Sequence, residues 1–159
     1  IALGVEEGIL IGVVFSLGSY FWRASHPHIA VVGRISGTEH FRNVERHQVE
    51  TDSKVLTLRV DESLFFGNVQ GVEDIIHSKI ASNPMLTDVL LIMSAVNRID
   101  STALMVLNDI NRSLKHTHKR LHLAEVKGPV LDTLKHTVFF KTLTGKCFLS
   151  GHEAYNELT

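Results

Sequence analysis

The 159-residue sequence has one cysteine, three prolines and no excess of positive charge. Because Cys147 has no second cysteine to pair with, an internal disulfide and a zinc site built from several thiolates are excluded. The formal net charge of -1 argues against a nucleic-acid-binding protein, since such proteins usually carry a basic excess or patch. A hydrophobic content of 44% is sufficient for one globular domain with a buried core.

The sequence also lacks the local motifs of common catalytic and nucleotide sites. It contains no Gly-x-Ser-x-Gly elbow, no Gly-x-x-x-x-Gly-Lys-Ser/Thr loop and no Gly-x-Gly-x-x-Gly turn. The ten histidines include His116, His118 and His122, but no carboxylate joins these three at metal-ligand spacing. We therefore expect no catalysis, no metal and no cofactor, and we interpret these histidines as surface residues.

An uncharged segment lies near the beginning of the sequence. Residues 8–22 contain no charged side chain and are a little shorter than the roughly 20 residues that a membrane span needs. Tyr20 and Trp22, followed by Arg23, are typical of an interfacial aromatic belt that leads into a basic, cytoplasmic flank. This pattern favours a membrane-derived helix over the alternative, a buried N-terminal helix of a soluble domain.

Three small residues recur at intervals of four in this segment. Gly4, Gly8 and Gly12 would share one helix face, on which another membrane helix could pack closely. We interpret residues 1–24 as the end of a last transmembrane helix with its interfacial linker, cut from a longer protein. Residues 25–159 would then form a separate cytoplasmic domain.

Strand and helix patterns alternate through residues 25–159. Alternating or continuous apolar runs predict five strands, at 29–35, 55–60, 89–93, 120–126 and 147–149. Helices are predicted to begin near Val69, Ser101, Pro129 and Ser150. The polar segment 36–53 has no sustained period and is interpreted as a long connection. Such an order implies parallel strands joined by crossover helices, and so a small α/β domain.

The stretch from Val89 to Leu104 is the centre of this pattern. Residues 89–93 are uniformly apolar, which is typical of a strand buried on both faces. A polar turn follows, and either Asp100 or Ser101 occupies the N-cap position of the next helix. In open α/β sheets, functional residues gather beyond the carboxyl ends of the strands.

Six residues at that edge are candidates for a regulatory or anion-binding site. Ser101 would lie at the positive end of a helix dipole, where a phosphate group is stabilised by free backbone donors, and Lys127 on the adjacent loop could assist. The alternative is that Asp100 and Ser101 only cap the helix. The full set is Ser94, Asn97, Asp100, Ser101, Thr102 and Lys127.

The order of these elements and several short stretches resemble a STAS domain. More narrowly, they resemble the cytoplasmic C-terminal STAS domain of SulP-type anion permeases, the sulfate permease family. The stretches that carry the resemblance are 22–34, 37–46, 64–68, 94–104 and 126–130.

This resemblance implies a mixed sheet of four or five strands with helices mainly on one face. It also implies a dimeric parent protein in the cell membrane that moves sulfate or a related inorganic or small organic anion. The domain would regulate or assemble that transporter by contacts with its membrane domain or with a cytosolic regulatory protein. The transport site itself would lie in other membrane helices.

The resemblance also implies an alternative function that uses Ser101. STAS domains are shared with anti-sigma factor antagonists, in which the serine of an Asp-Ser-Ser-Gly-type turn is phosphorylated. Ser101 matches that serine within Asp100-Ser101-Thr102-Ala103, although Ala103 stands where the switch proteins carry glycine. The alternative is therefore a soluble phospho-switch or a nucleotide-sensing module that uses the same edge.

Overall fold

A computed structural model describes residues 4–24 and 28–159, without the side chain of Ala24. The first element is a 20-residue helix, α1 (Val5–Ala24), which confirms the helical interpretation of this segment. By length and composition it could cross a membrane, and no part of its apolar window is buried against the rest of the described chain. The alternative of a helix buried in a soluble domain therefore disagrees with the structure.

Residues 28–159 form one mixed sheet with helices on both faces. The strands are β1 (Ile29–Arg34), β2 (Phe41–Asn43), β3 (Val55–Val60), β4 (Asp88–Ile92), β5 (Arg120–Ala124) and β6 (Cys147–Phe148). Their order is β2-β1-β3-β4-β5-β6, in which β1 is antiparallel to both neighbours and β3 to β6 run parallel. The α/β class is confirmed, with six strands rather than four or five.

The helices that follow are α2 (Val69–Ser82), α3 (Ser101–His116), α4 (Gly128–Lys135), α5 (Val138–Lys141) and α6 (Gly151–Leu158). The larger core lies between one face of the sheet and α2 to α5, where Leu58, Leu91 and Leu107 are buried together. On the opposite face, Leu90 and Phe148 pack with Tyr155 of α6. Helices therefore lie mainly on one face, as expected.

The central strand is buried along its whole length. Every residue of β4 is buried, and the strand pairs with β3 on one side and β5 on the other. A strand enclosed by neighbours and by helices on both faces needs apolar side chains at successive positions, which is why its sequence does not alternate. The predicted buried strand is confirmed.

The segment 36–53 is more ordered than predicted. It contains β2, which pairs with β1 through Val32 opposite Asn43 and Arg34 opposite Phe41. Phe41 is buried beside Tyr155 of α6, with ring centroids 5.9 Å apart. The prediction of a long connection missed this strand because three residues with one apolar side chain give no readable period.

Candidate functional site

Three loops follow the carboxyl ends of β3, β4 and β5 and lie side by side. We call this surface the carboxyl edge and define it as residues 61–68, 93–100 and 125–127. Leu64 N–H donates to the carbonyl of Arg98 at 3.0 Å, and Asp100 N–H donates to the carbonyl of Leu64 at 3.1 Å. The Ser63 hydroxyl also accepts the N–H groups of Asn97 and Arg98 at 3.3 and 3.2 Å. The first two loops are thus one hydrogen-bonded unit.

Asp100 caps α3 and also holds the loop before α2. Its Oδ1 accepts the N–H of Ala103 at 2.7 Å, and its Oδ2 accepts the N–H of Phe66 at 2.9 Å. Asp100, rather than Ser101, is therefore the N-cap residue. Ser101 is the first helical residue, and both it and Thr102 are exposed to solvent.

Lys127 reaches the loop after β4, but its partner there is Asn97 rather than the predicted position beside Ser101. Its Nζ donates to Oδ1 of Asn97 at 2.6 Å, and both residues are exposed. Ser94 lies half-buried at the beginning of the same loop. Within the described residues, no hydrogen bond or ion pair joins Lys127 to Ser101. The structure therefore links Asn97 with Lys127 and leaves the Ser101 hydroxyl at the exposed start of α3.

The surroundings of Ser101 limit what an anion would meet there. The first backbone N–H groups of a helix lack intrahelical partners and so favour a negative charge. In α3, however, Asp100 already occupies the N–H of Ala103, and the N–H of Leu104 donates to the Asp100 carbonyl. The adjoining carboxylate also repels an anion. The geometry leaves Ser101 accessible to a modifying enzyme without forming a closed anion site.

The end of α1 lies next to the carboxyl edge. A cleft of about 340 Å³ is lined by Tyr20 and Arg23 of α1 and by Glu62, Ser63 and Phe65 of the loop after β3. Ser63 is the residue whose hydroxyl holds the loop after β4. The candidate site is thus continuous with the junction between the helix and the domain.

The three glycines of the predicted packing face are exposed. Gly8 and Gly12 lie in α1, and a Cβ placed on either would meet no atom of the described chain within 4 Å. Gly4 directly precedes α1, and its carbonyl accepts the N–H of Gly8 at 3.0 Å. In the part of the chain that the structure describes, nothing packs on Gly8 or Gly12, and the packing face stays a prediction.

A buried polar cluster lies at the opposite edge of the sheet. His122 is buried, and its Nε2 lies 2.8 Å from Oδ1 of Asp88, which is also buried. The backbone N–H of Lys146 donates to Nδ1 of His122 at 3.0 Å, which places the imidazole proton on Nε2. Arg120 donates to both Asp88 oxygens, at 2.7 and 3.1 Å. The interpretation of His122 as a surface histidine was wrong.

Burial governs the protonation of this cluster. Burial lowers the pKa of His122, and this effect outweighs the opposing hydrogen bond to Asp88. Burial alone would raise the pKa of Asp88, but hydrogen bonds from Arg120, His122 and Thr87 hold it below its ordinary value. The pair is therefore a neutral imidazole beside an ionised carboxylate. Alternation along β5 places His122 on the face opposite Leu121 and Leu123, where it lies beside Phe148 with ring centroids 5.8 Å apart, so the local sequence did not signal its burial.

The comparisons with known proteins agree with this architecture. Residues 46–154, more than half of the chain, match the STAS domain family. The chain belongs to the STAS domain family. It is 32% identical to sulfate transporter 1.3 of Arabidopsis thaliana over 97% of its own length, and 29% identical to the chloroplastic sulfate transporter 4.1 of the same plant over 86%. The chain spans about a quarter of the length of these curated relatives.

Solved structures show the same fold. The murine solute carrier 26 family member A9 anion transporter, in its inward-facing state, matches 98% of this chain and 26% of its own, with a TM-score of 0.82 and 17% identity. The anti-sigma factor antagonist SpoIIAA in its unphosphorylated form matches 69% of this chain and 91% of its own, with a TM-score of 0.58 and 14% identity. The chain thus contains a STAS domain, and its sequence is similar to that of plant sulfate transporters.

Proposed function

We propose that residues 1–24 end the last transmembrane helix of a secondary anion transporter and that residues 25–159 form its cytoplasmic regulatory and assembly domain. The transported anion would be sulfate or a related inorganic or small organic anion. The domain acts through protein contacts and performs no catalysis of its own. A homodimer of the parent transporter and a cytosolic regulatory protein are the partners that this role requires.

The observation that carries this proposal is the combination of α1 with the domain in one chain. The similarity to sulfate transporter 1.3 covers 97% of the chain, so it extends beyond the STAS domain match at 46–154 toward α1. The apolar side chains of α1 are exposed, among them Phe15, which is 78% exposed. An exposed helix of this length and composition is stable in lipid, where its backbone groups are satisfied internally.

The end of α1 supports a cytoplasmic position for the domain. Trp22 and Arg23 stand at the last turn, and His28 follows within four residues of the helix end. Aromatic side chains favour the interface, and positive charge near a span favours the cytoplasmic side. The carboxyl edge then becomes the surface nearest to the rest of the transporter, because Glu62, Ser63 and Phe65 lie beside Tyr20 and Arg23.

Anion uptake by the parent transporter in cells tests this role. The intact protein is compared with a form truncated after Trp22, and the surface abundance of each is quantified. We expect truncation to abolish uptake or surface abundance, since the transporter then lacks its assembly domain. Normal uptake at normal abundance without the domain would overturn the proposal.

Exposure of Ser101 supports a second candidate function, that of a phospho-switch. Ser101 is the first residue of α3 and is exposed at the surface of a domain that shares its fold with SpoIIAA. The capping carboxylate of Asp100 disfavours the nucleotide-sensing alternative at the same edge, because it repels a phosphate. The variants Ser101→Asp and Ser101→Ala separate the roles: a change in uptake by Ser101→Asp alone, at equal abundance, indicates a switch. Normal uptake by both variants indicates that the start of α3 is purely structural.

A further inference from the structure

A basic pocket lies where the domain leaves α1. Its volume is about 280 Å³, and it is walled by the start of β1, the end of β3 and the turn after β2. The side chains that give it chemical character are His28, Arg42, Arg46, His47, Arg59 and Asp61. The whole chain has a net charge of -1, so this is a local concentration of positive charge.

The pocket contains two arginines whose charge is not compensated. Arg59 donates to both oxygens of Asp61, at 2.6 and 3.1 Å, which neutralises this pair. Arg42 and Arg46 are exposed, and neither forms an ion pair with a carboxylate in residues 4–24 or 28–159. Nη1 of Arg42 donates to the carbonyl of Phe41 at 3.4 Å, which leaves most donors of the two guanidinium groups available to an anion with several oxygens.

The wall that carries Arg46 is a turn held by hydrogen bonds. The Asn43 side chain accepts the N–H of Glu45 at 2.8 Å, and the Asn43 carbonyl accepts the N–H groups of Arg46 and His47 at 3.1 Å each. On the other wall, the N–H of Asp61 donates to the His28 carbonyl at 3.0 Å. The cationic side chains thus project from fixed backbone rather than from a disordered tail.

The position of the pocket identifies the source of the anion. His28 lines the pocket and is four residues beyond Ala24, the end of α1. Four Cα–Cα steps span at most about 15 Å, so the pocket lies within reach of the lipid headgroups wherever α1 spans a membrane. The cytoplasmic leaflet carries anionic lipids that attract arginines close to a span. Resting on the proposed function, we propose that this pocket binds the phosphate headgroup of an anionic membrane lipid.

Quenching of Trp22, the sole tryptophan, reports the lipids around the end of α1, six residues before the pocket residue His28. The full chain is reconstituted in bilayers that contain either brominated phosphatidylserine or brominated phosphatidylcholine at the same mole fraction. For the unaltered chain, we expect phosphatidylserine to quench about two-fold more strongly. We expect R42Q/R46Q to bring this ratio toward one.

The matched control is K115Q/K135Q, which removes two positive charges from the last turns of α3 and α4. These helices begin at the carboxyl edge and end at the opposite one, so the ratio should stay at its original value. Equal quenching by both lipids in the unaltered chain would overturn lipid binding by the pocket. Equal ratios in R42Q/R46Q and K115Q/K135Q would do the same, and neither result contradicts the membrane span. Inorganic phosphate at constant ionic strength should lower the ratio, because it competes with the lipid phosphate for the same arginines. A ratio that phosphate leaves unchanged would mean that the preference arises outside the pocket, which overturns the inference. Absence of quenching by either lipid overturns both this inference and the proposed function.

Discussion

The carboxylate of Asp100 accepts the backbone N–H of Phe66 at 2.9 Å across 34 residues of sequence. The same carboxylate caps α3 through the N–H of Ala103. One side chain therefore fixes the loop before α2 relative to the start of α3, and both helices face the larger core. This relationship gives Asp100 a structural role that is separate from any modification of its neighbour Ser101.

Replacement of Asp100 by alanine is expected to destabilise the domain. It removes an N-cap bond and a second charge-assisted bond, together worth about 1–3 kcal/mol of the free energy of unfolding. Urea unfolding of the detergent-solubilised chain, followed by circular dichroism, measures this change. Ser101→Ala is the control and should alter the free energy by less than about 0.5 kcal/mol. Equal effects of the two variants would contradict the assignment of Asp100 as the cap.

Ser101→Asp should leave stability almost unchanged. A negative charge at the first helical residue gains about 0.3–1 kcal/mol from the helix dipole, but repulsion from the adjacent Asp100 opposes this gain. The net change in unfolding free energy is expected to be within about 0.5 kcal/mol. The same urea titration measures it. A large loss of stability would mean that a change in uptake by Ser101→Asp could reflect unfolding rather than the added negative charge.

Local sequence rules were sufficient for elements whose structure depends on the residue types within the element itself. The uniformly apolar 89–93 run predicted a buried strand, and the Asp100 region predicted a helix start. Both predictions were possible because burial selects apolar residues and N-capping selects short polar ones. The rule that the carboxyl ends of parallel strands share an edge placed the loops of Lys127 and Asn97 together, but the bond between these two side chains was not predicted. The overall class followed from the alternation of strands and helices.

Long-range pairing was what sequence reasoning could not supply. Strand β2 exists because Phe41 packs beside Tyr155, more than a hundred residues later, and no local pattern encodes that contact. The same holds for His122, whose partner Asp88 is 34 residues away. The double use of Asp100 also depends on a loop brought close by the fold. Each case is a polar or isolated apolar residue whose environment comes entirely from tertiary structure.

The buried His122–Asp88 pair predicts a loss of stability in mild acid. Burial lowers the pKa of His122 below its ordinary 6.5, so below pH 6.5 the unfolded chain binds a proton that the folded chain does not. The contribution of His122 to the free energy of unfolding is therefore fully present above pH 6.5. It falls as the pH drops, by at most about 1.4 kcal/mol per pH unit. Asp88, whose pKa is held below 3.8, extends the loss to lower pH.

His122→Gln isolates the histidine contribution. The amide keeps a donor toward Asp88 but does not titrate, so the unfolding free energy should start lower and vary less between about pH 6.5 and 4.5. Urea unfolding at several pH values gives the slope. His116→Gln replaces an exposed histidine and should retain the slope of the unaltered chain. An unchanged slope in His122→Gln would show that His122 does not account for the acid sensitivity.

Gly145→Ala should destabilise the same cluster by overpacking. A Cβ at Gly145 would come within 2.5 Å of Nδ1 of His122 and would also meet the carbonyl of Leu121. Relief of that clash must shift the imidazole or the backbone of β5, at a cost of about 1–3 kcal/mol. Gly128→Ala is the matched control, because its Cβ would meet nothing within 4 Å at the start of α4. In urea unfolding, that variant should equal or exceed the original stability, since alanine favours helix over glycine.

The exposed glycine face of α1 predicts a defect that appears only in the whole transporter. Gly8→Leu with Gly12→Leu adds side chains at two positions where a Cβ meets nothing within 4 Å in the described chain, and leucine favours helix, so α1 and the domain should fold normally. Close packing of a second membrane helix on this face would be blocked, which should lower the surface abundance of the parent transporter. Gly18→Leu is the control, because Gly18 is equally open but lies off the four-residue stripe. An equal loss of surface abundance in the double variant and in Gly18→Leu would mean that helix packing does not use this face.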